Sequence, residues 1–187
     1  MKLFLLFFLL KYSDFASLPV VDANVKCSQN DLYILRKASI IRGNYRDVAS
    51  QFNGALIPSA RAILFHVSNI DNSPLRNSLY PHYIGDLGHV DVYLRESVIV
   101  RFLSINQINT VRFWMWDNDN RQTEMQVFVI TADLIEKVIF DGIAKSTLYV
   151  LKFSDQLASG LKFYNKGGNN LDHTYMTILK IQAFQAF

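Results

Sequence analysis

The sequence predicts an all-β chain, an antiparallel sandwich of two sheets packed face to face. Short runs of alternating apolar and polar residues recur along it at roughly 10–15-residue intervals. No stretch between them carries the apolar stripe of an amphipathic helix. Half of the 187 residues are hydrophobic and 13% are aromatic, enough for one domain with a sizeable core.

The N-terminus reads as a targeting segment. Met1-Lys2 gives a positive start, and Leu3–Leu10 is an unbroken apolar run, too short to span a bilayer as a helix. Residues 1–23 are therefore expected to be a signal peptide cleaved after Ala23, with Ser17 as the alternative point of cleavage. No other segment approaches transmembrane length. From Leu32 to Phe187 the chain reads as one domain, without repeats or low-complexity linkers.

Within that domain the elements follow in order. Ala38–Ala55 is mixed, punctuated by Gly43, Asn44, Asn53 and Gly54. Arg61–Val67 has strand character. Asn69–Gly88 is a long loop carrying Pro74, Pro81, Gly85 and Gly88. Val90–Leu94 and Ser97–Leu103 are strands, the second centred on the β-branched pair Ile99-Val100. Val111, Phe113 and Met115 then alternate with Arg112, Trp114 and Trp116, the period of a strand. Asp117-Asn118-Asp119-Asn120 breaks the pattern, because short polar side chains tolerate tight turns. Met125, Val127 and Val129 restart it, so the two arms read as a hairpin. Strands over Ile135–Phe140, Leu148–Phe153, Leu161–Tyr164 and Tyr175–Ala183 complete the set, with Asn165–Asn170 and its two glycines as the turn before the last.

Composition excludes several classes of function. The net charge is +3 and no stretch clusters Lys and Arg, so nucleic acid is not an expected partner. A single cysteine, Cys27, leaves no intramolecular disulfide framework and no cysteine-only zinc site. His66, His82, His89 and His173 lie far apart; His82 and His89 read as solvated loop residues. No nucleophile elbow, P-loop or dinucleotide-binding glycine motif occurs. The chain is read as a non-enzyme without cofactor or metal.

The segment Ile108–Arg121 carries a resemblance. Ile108, Asn109, Val111, Arg112, Trp116, Asp117, Asp119 and Arg121 stand where the discoidin family, the coagulation factor V/VIII type C domains, has Ile-Asn-x-Ile/Val-Arg/Lys-x-x-x-Trp-Asp-x-Asp-x-Arg. Met125–Ile130, Leu148–Phe153, Leu161–Tyr164, Gly167–Asn170 and Tyr175–Phe184 fill the later slots. The chain is most similar to the versions in the BTB/POZ domain-containing protein 9 family, although no BTB domain fits before Leu32. The resemblance implies a galactose-binding-like jelly-roll β-sandwich over residues 32–187, with ligands held by loops at one end.

Candidate residues follow from both arguments. Asp117 and Asp119 have the spacing of a divalent-cation turn, but the glycine and distal glutamate of a helix–loop–helix calcium site are absent. The preferred reading is a turn in which a carboxylate pairs with Arg121 and accepts backbone N–H bonds. Trp116, Asp117, Asp119 and Arg121 are thus a structural motif. Tyr80, His82 and Tyr83 in the long loop, with Asn169 and Asn170, are the candidate ligand contacts, competing with a reading in which the aromatics fold inward. The expected function is a secreted, extracellular binding module for a glycan, a phospholipid surface or a protein. The alternative is a cytoplasmic protein-interaction module related to BTB/POZ ubiquitin-ligase adaptors.

Overall fold

A computed structural model of the chain describes residues 46–58, 73–76, 88–172 and 174–186. Residues 1–23, Cys27, His66, His173, the expected strand Arg61–Val67 and the loop residues Tyr80, His82 and Tyr83 lie outside them. The described residues form six strands: β1 Val90–Tyr93, β2 Ser97–Met115, β3 Gln122–Thr131, β4 Glu136–Lys145, β5 Leu148–Asn169 and β6 Tyr175–Phe184. All pairs are antiparallel, in the order β1-β6-β2-β5-β3-β4.

β2 and β5 span 19 and 22 residues, and each joins two stretches that the alternation pattern separates. Side chains explain the difference. Alternation fails over Leu103–Gln107 and Ser154–Gln156, where the residues face solvent, but the backbone ladder is made by N–H and C=O groups and continues. Register shifts between Arg101 and Asn106, and between Ile108 and Thr110, mark the irregularities. Such bulges bend a strand.

The bend is large. Val98 pairs with Phe163, while Phe113 pairs with Tyr149 further along the same ribbon. A straight run from Val98 to Phe113 would span about 50 Å. Yet the rings of Phe113 and Phe163 have centroids 5.5 Å apart. The β2–β5 ribbon therefore folds back on itself. One half, Ser97–Arg101 with Gly160–Tyr164, lies beside β3 and β4. The other, Thr110–Met115 with Leu148–Lys152, lies beside β6 and β1. These are the two layers of the sandwich.

Phe113 sits where the layers meet. It stacks on Tyr149 at 5.0 Å and meets Phe163 and Phe140 edge-on. Val111, Phe113, Met115, Val127 and Val129 are all buried in one core, as the alternation predicts. Gly160 lies where the ribbon strands approach closely: a Cβ there would sit 2.2 Å from the Val100 carbonyl oxygen. The outer edge of β6 is closed by Asp47, whose carboxylate accepts the Ala183 N–H at 2.9 Å, while Val48 donates to the Ala183 carbonyl. Burial pushes the Asp47 carboxyl up, against these bonds and the pull of Lys180.

Two expectations are corrected. The arms around Asp117–Asn120 are not a hairpin: β2 pairs with β5 and β6, β3 with β4 and β5. Alternation shows that a strand has one buried face; it does not name the neighbour, and arms facing each other across a core show it equally. Asn165–Asn170 is not the turn. β5 runs to Asn169, and Gly168, at φ 75°, serves a bulge beside β3. The Gly168 N–H is held by the Asn165 side chain at 2.8 Å.

Phe113→Ala is expected to cost about 3–5 kcal/mol in urea unfolding, the range for a large aromatic removed from a core. A loss under about 1 kcal/mol would show that the fold-back does not depend on this ring.

Candidate functional site

β1 and β6 give one end of the sandwich its chemistry. Val90, Val92, Met176 and Ile178 point into the core and are buried. The alternate residues, Asp91, Tyr93, Tyr175 and Thr177, share the outward face as cross-strand pairs, Asp91 opposite Thr177 and Tyr93 opposite Tyr175. The two tyrosine rings lie side by side, centroids 5.0 Å apart and tilted by 47°. Both remain half-buried, open to solvent. A hydrogen bond with the Tyr93 hydroxyl, then burial and the nearby charges of Asp91 and Asp172, raise the Tyr175 phenol above its usual range.

The connection from β2 to β3 folds over this face. The Trp116 N–H donates to the Thr177 carbonyl, fixing the start of the turn on β6. Asp119 accepts Nε and Nη2 of Arg121 at 2.8 and 2.6 Å, and also the Arg121 backbone N–H at 3.0 Å. Of the two carboxylates considered for Arg121, Asp119 is the one it grips. The guanidinium then reaches Thr177 at 3.3 Å and lies over the Trp116 ring. The Thr177 hydroxyl donates to Asp91. One chain of contacts thus runs from the turn to β1.

The arginine holds the Asp119 carboxyl below the usual carboxylate range, and Asp119 raises Arg121 in turn. His89 packs edge-on against Trp116 at 4.7 Å, and its side chain is only 12% exposed. It is therefore part of the packing and not a solvated loop residue, because Trp116 covers it. Among the described residues no three His, Cys, Asp or Glu side chains gather as metal ligands do, and no helix is long and apolar enough to cross a membrane.

Asn169 and Asn170 take different roles. Asn169 is 1% exposed, and both of its side-chain polar atoms are engaged: Oδ1 accepts from Leu171 and Asp172, Nδ2 donates to Asp172 and to the Tyr175 carbonyl. An amide so saturated builds the turn and has no bond left for a ligand. Asn170 is exposed and clamps the start of β3, accepting from the Gln122 N–H at 2.7 Å. That bond puts it at the same end as Trp116, Arg121 and His89. Tyr80, His82 and Tyr83, the other expected ligand contacts, lie outside the described residues.

Asp91, Tyr93, Asp172, Tyr175 and Thr177 are not among the candidates expected from sequence. Their signal was present: Val-Asp-Val-Tyr and Tyr-Met-Thr-Ile are strands with one apolar and one functional face. Only the pairing register shows that the two functional faces coincide.

No protein-family model and no curated protein matches the chain. Solved structures do. The chain is similar to the CBM32 of AlyQ in complex with 4,5-unsaturated mannuronic acid, at 16% identity and a TM-score of 0.50, covering 76% of this chain and 98% of that one. It is also similar to chitosan-binding module 1 derived from the chitosanase/glucanase of Paenibacillus sp. IK-5, at 7% identity and a TM-score of 0.54, covering 75% and 99%. At these identities the likeness is one of fold, the galactose-binding-like sandwich of carbohydrate-binding modules. These comparisons do not show the expected closeness to the BTB/POZ domain-containing protein 9 family.

The Asp119–Arg121 pair sets a pH dependence. A carboxyl whose folded value is lowered stabilises the fold above the unfolded value, about 3.9, and that contribution fades as pH falls through the lowered one. Asp119→Asn should therefore be less stable than wild type at pH 7, with the gap narrowing below about pH 4. Urea unfolding at pH 7 and pH 3 measures it. A gap of constant size would show that the pair does not stabilise the fold through its charge.

Proposed function

We propose that this chain is a non-catalytic carbohydrate-binding module, secreted after removal of residues 1–23, whose domain over residues 32–187 holds sugar at the β1–β6 end. The observation that carries the reading is the Tyr93–Tyr175 pair, two half-buried rings side by side with polar groups around them. Aromatic faces pack on the C–H face of a sugar ring, while carboxylates, amides and guanidinium groups bond its hydroxyls. Asp91 and Asp172 act electrostatically on Tyr175, and Arg121 on both carboxylates. Trp116 and His89, packed edge-on against each other, brace the same end of β1 and β6. Tyr80, His82, Tyr83 and Asn170 belong to the same reading as the rim.

The names of the two similar structures agree with it: one is a complex with an unsaturated mannuronic acid, the other a chitosan-binding module. The rigid setting favours binding over chemistry. Rings fixed by two paired strands and by a clamped turn lose little entropy on meeting a ligand. The candidate carboxylate with a strong partner, Asp119, is locked to Arg121 and is not poised as an acid or base.

A glycan array with the full chain, followed by calorimetry on the best ligand, tests the proposal. Tyr175→Ala should weaken binding roughly five- to tenfold, the scale of one lost aromatic contact. Stability should fall by only about 1 kcal/mol, the scale of one lost cross-strand aromatic pair at a half-buried position. Tyr83→Ala should weaken binding at unchanged stability if the long loop forms the rim. An array with no bound glycan, or a Tyr175→Ala variant that binds like wild type, ends the reading. N-terminal sequencing of the exported protein checks cleavage after Ala23.

A further inference from the structure

The chain as a whole is basic, with a net charge of +3. The end that bears the two tyrosines is not. Among the described residues, the carboxylates Asp91, Asp119 and Asp172 gather there against one guanidinium, Arg121. Asp91 and Asp172 each act through their charge on Arg121 and on Tyr175. Arg121 is already held by Asp119 at 2.6 Å. Counting His89, 3.7 Å from Asp91, as charged still leaves the sum negative. Arg95 and Glu96, in the turn after Tyr93, cancel each other, and Asp117 on the turn before Arg121 adds a further carboxylate.

Geometry sets these charges beside the rings. Asp91 and Tyr93 share the outward face of β1, about 7 Å apart along the strand. Asp91 also stands diagonally across from Tyr175 in the β1–β6 ladder. Asp172 lies in the turn that leads into β6. Its carboxylate accepts the Thr174 N–H at 2.9 Å and the Asn169 amide at 2.7 Å, and that same amide bonds the Tyr175 carbonyl at 2.8 Å. Against burial, bonds from Thr174, Asn169 and Tyr175 hold the Asp172 carboxyl below its usual range, so it is anionic at neutral pH. The two carboxylates therefore approach the ring pair from different elements, a strand and a turn.

We infer that the sugar held here is an amino sugar with a free, protonated amine, its ammonium over the tyrosine faces and within reach of Asp91 and Asp172, given the sugar-binding reading of this end on which this rests. The carboxylates alone would not make a site; the rings do. An ammonium gains from both, since a tyrosine face attracts a cation and a carboxylate bonds it. An N-acetylated sugar keeps the packing of its C–H face on the rings but brings no charge. A uronic acid meets the reverse: its carboxylate would face Asp91 and Asp172, while the guanidinium is taken up by Asp119.

Calorimetry on the full chain in low salt tests this with oligomers of equal length of glucosamine, N-acetylglucosamine and galacturonic acid. At about pH 5.5 the protein carboxylates are ionised and the amine is protonated. The glucosamine oligomer should bind at least about fivefold more tightly than the N-acetylated one, the scale of one cation–π or ion contact, and the uronic acid more weakly than both. Salt at about 0.5 M should bring the first two together, because it screens exposed charges. Asp172→Asn and, separately, Asp91→Asn should each lower the ratio of glucosamine to N-acetylglucosamine affinity about threefold. Asparagine keeps an acceptor oxygen for the bonds from Asn169 and Thr174 at one position and from Thr177 at the other, so both variants should melt near wild type. A glucosamine oligomer that binds no better than the N-acetylated one, tighter binding of the uronic acid, or a ratio unmoved by both substitutions overturns the inference and leaves the sugar-binding reading standing. If none of the oligomers binds and the glycan array is also blank, both fall together.

Discussion

The fold-back of the β2–β5 ribbon around Phe113 is the constraint on which the rest of this structure depends. Both layers are built on the same two strands, so neither exists without the other. The bend needs bulges near Arg101–Asn106 and Ile108–Thr110, and a glycine at 160 where no Cβ fits. Once it is made, every strand end has an assigned place. The ends of β1, β2, β5 and β6 that bear Tyr93, Trp116, Asn169 and Tyr175 gather at one pole, and the bend with exposed Leu103, Ile105 and Leu157 forms the other. The candidate site is therefore a consequence of the fold-back, though none of its residues takes part in the bend.

The site in turn depends on one turn. Between β2 and β3 the chain crosses from one layer to the other, and such crossings lack a neighbouring strand to fix them. Arg121 replaces that neighbour. It holds Asp119 with a fork of bonds, touches Thr177 on β6 and lies over Trp116. A lysine could not do all three, since its ammonium is a point charge without a planar fork. The pair is partly exposed, 19% and 31%, so its Coulombic value is modest. Its importance is geometric, in keeping Trp116 over His89 and the outward face of β6.

Much of this was legible in the sequence, for identifiable reasons. The all-β class, the buried set Val111, Phe113, Met115, Val127 and Val129, and the joining of an aspartate to Arg121 all follow from patterns within a few residues of each other. The hairpin, the two divided strands and the turn at Asn165–Asn170 were misread because each is decided by partners far along the chain. Ser104 and Gln156 look like loop residues when only side chains are weighed, and Gly167-Gly168 looks like a turn when only conformational freedom is weighed. The Tyr93–Tyr175 surface escaped for the same reason, since its two halves lie 82 positions apart in the chain and meet only through the β1–β6 register.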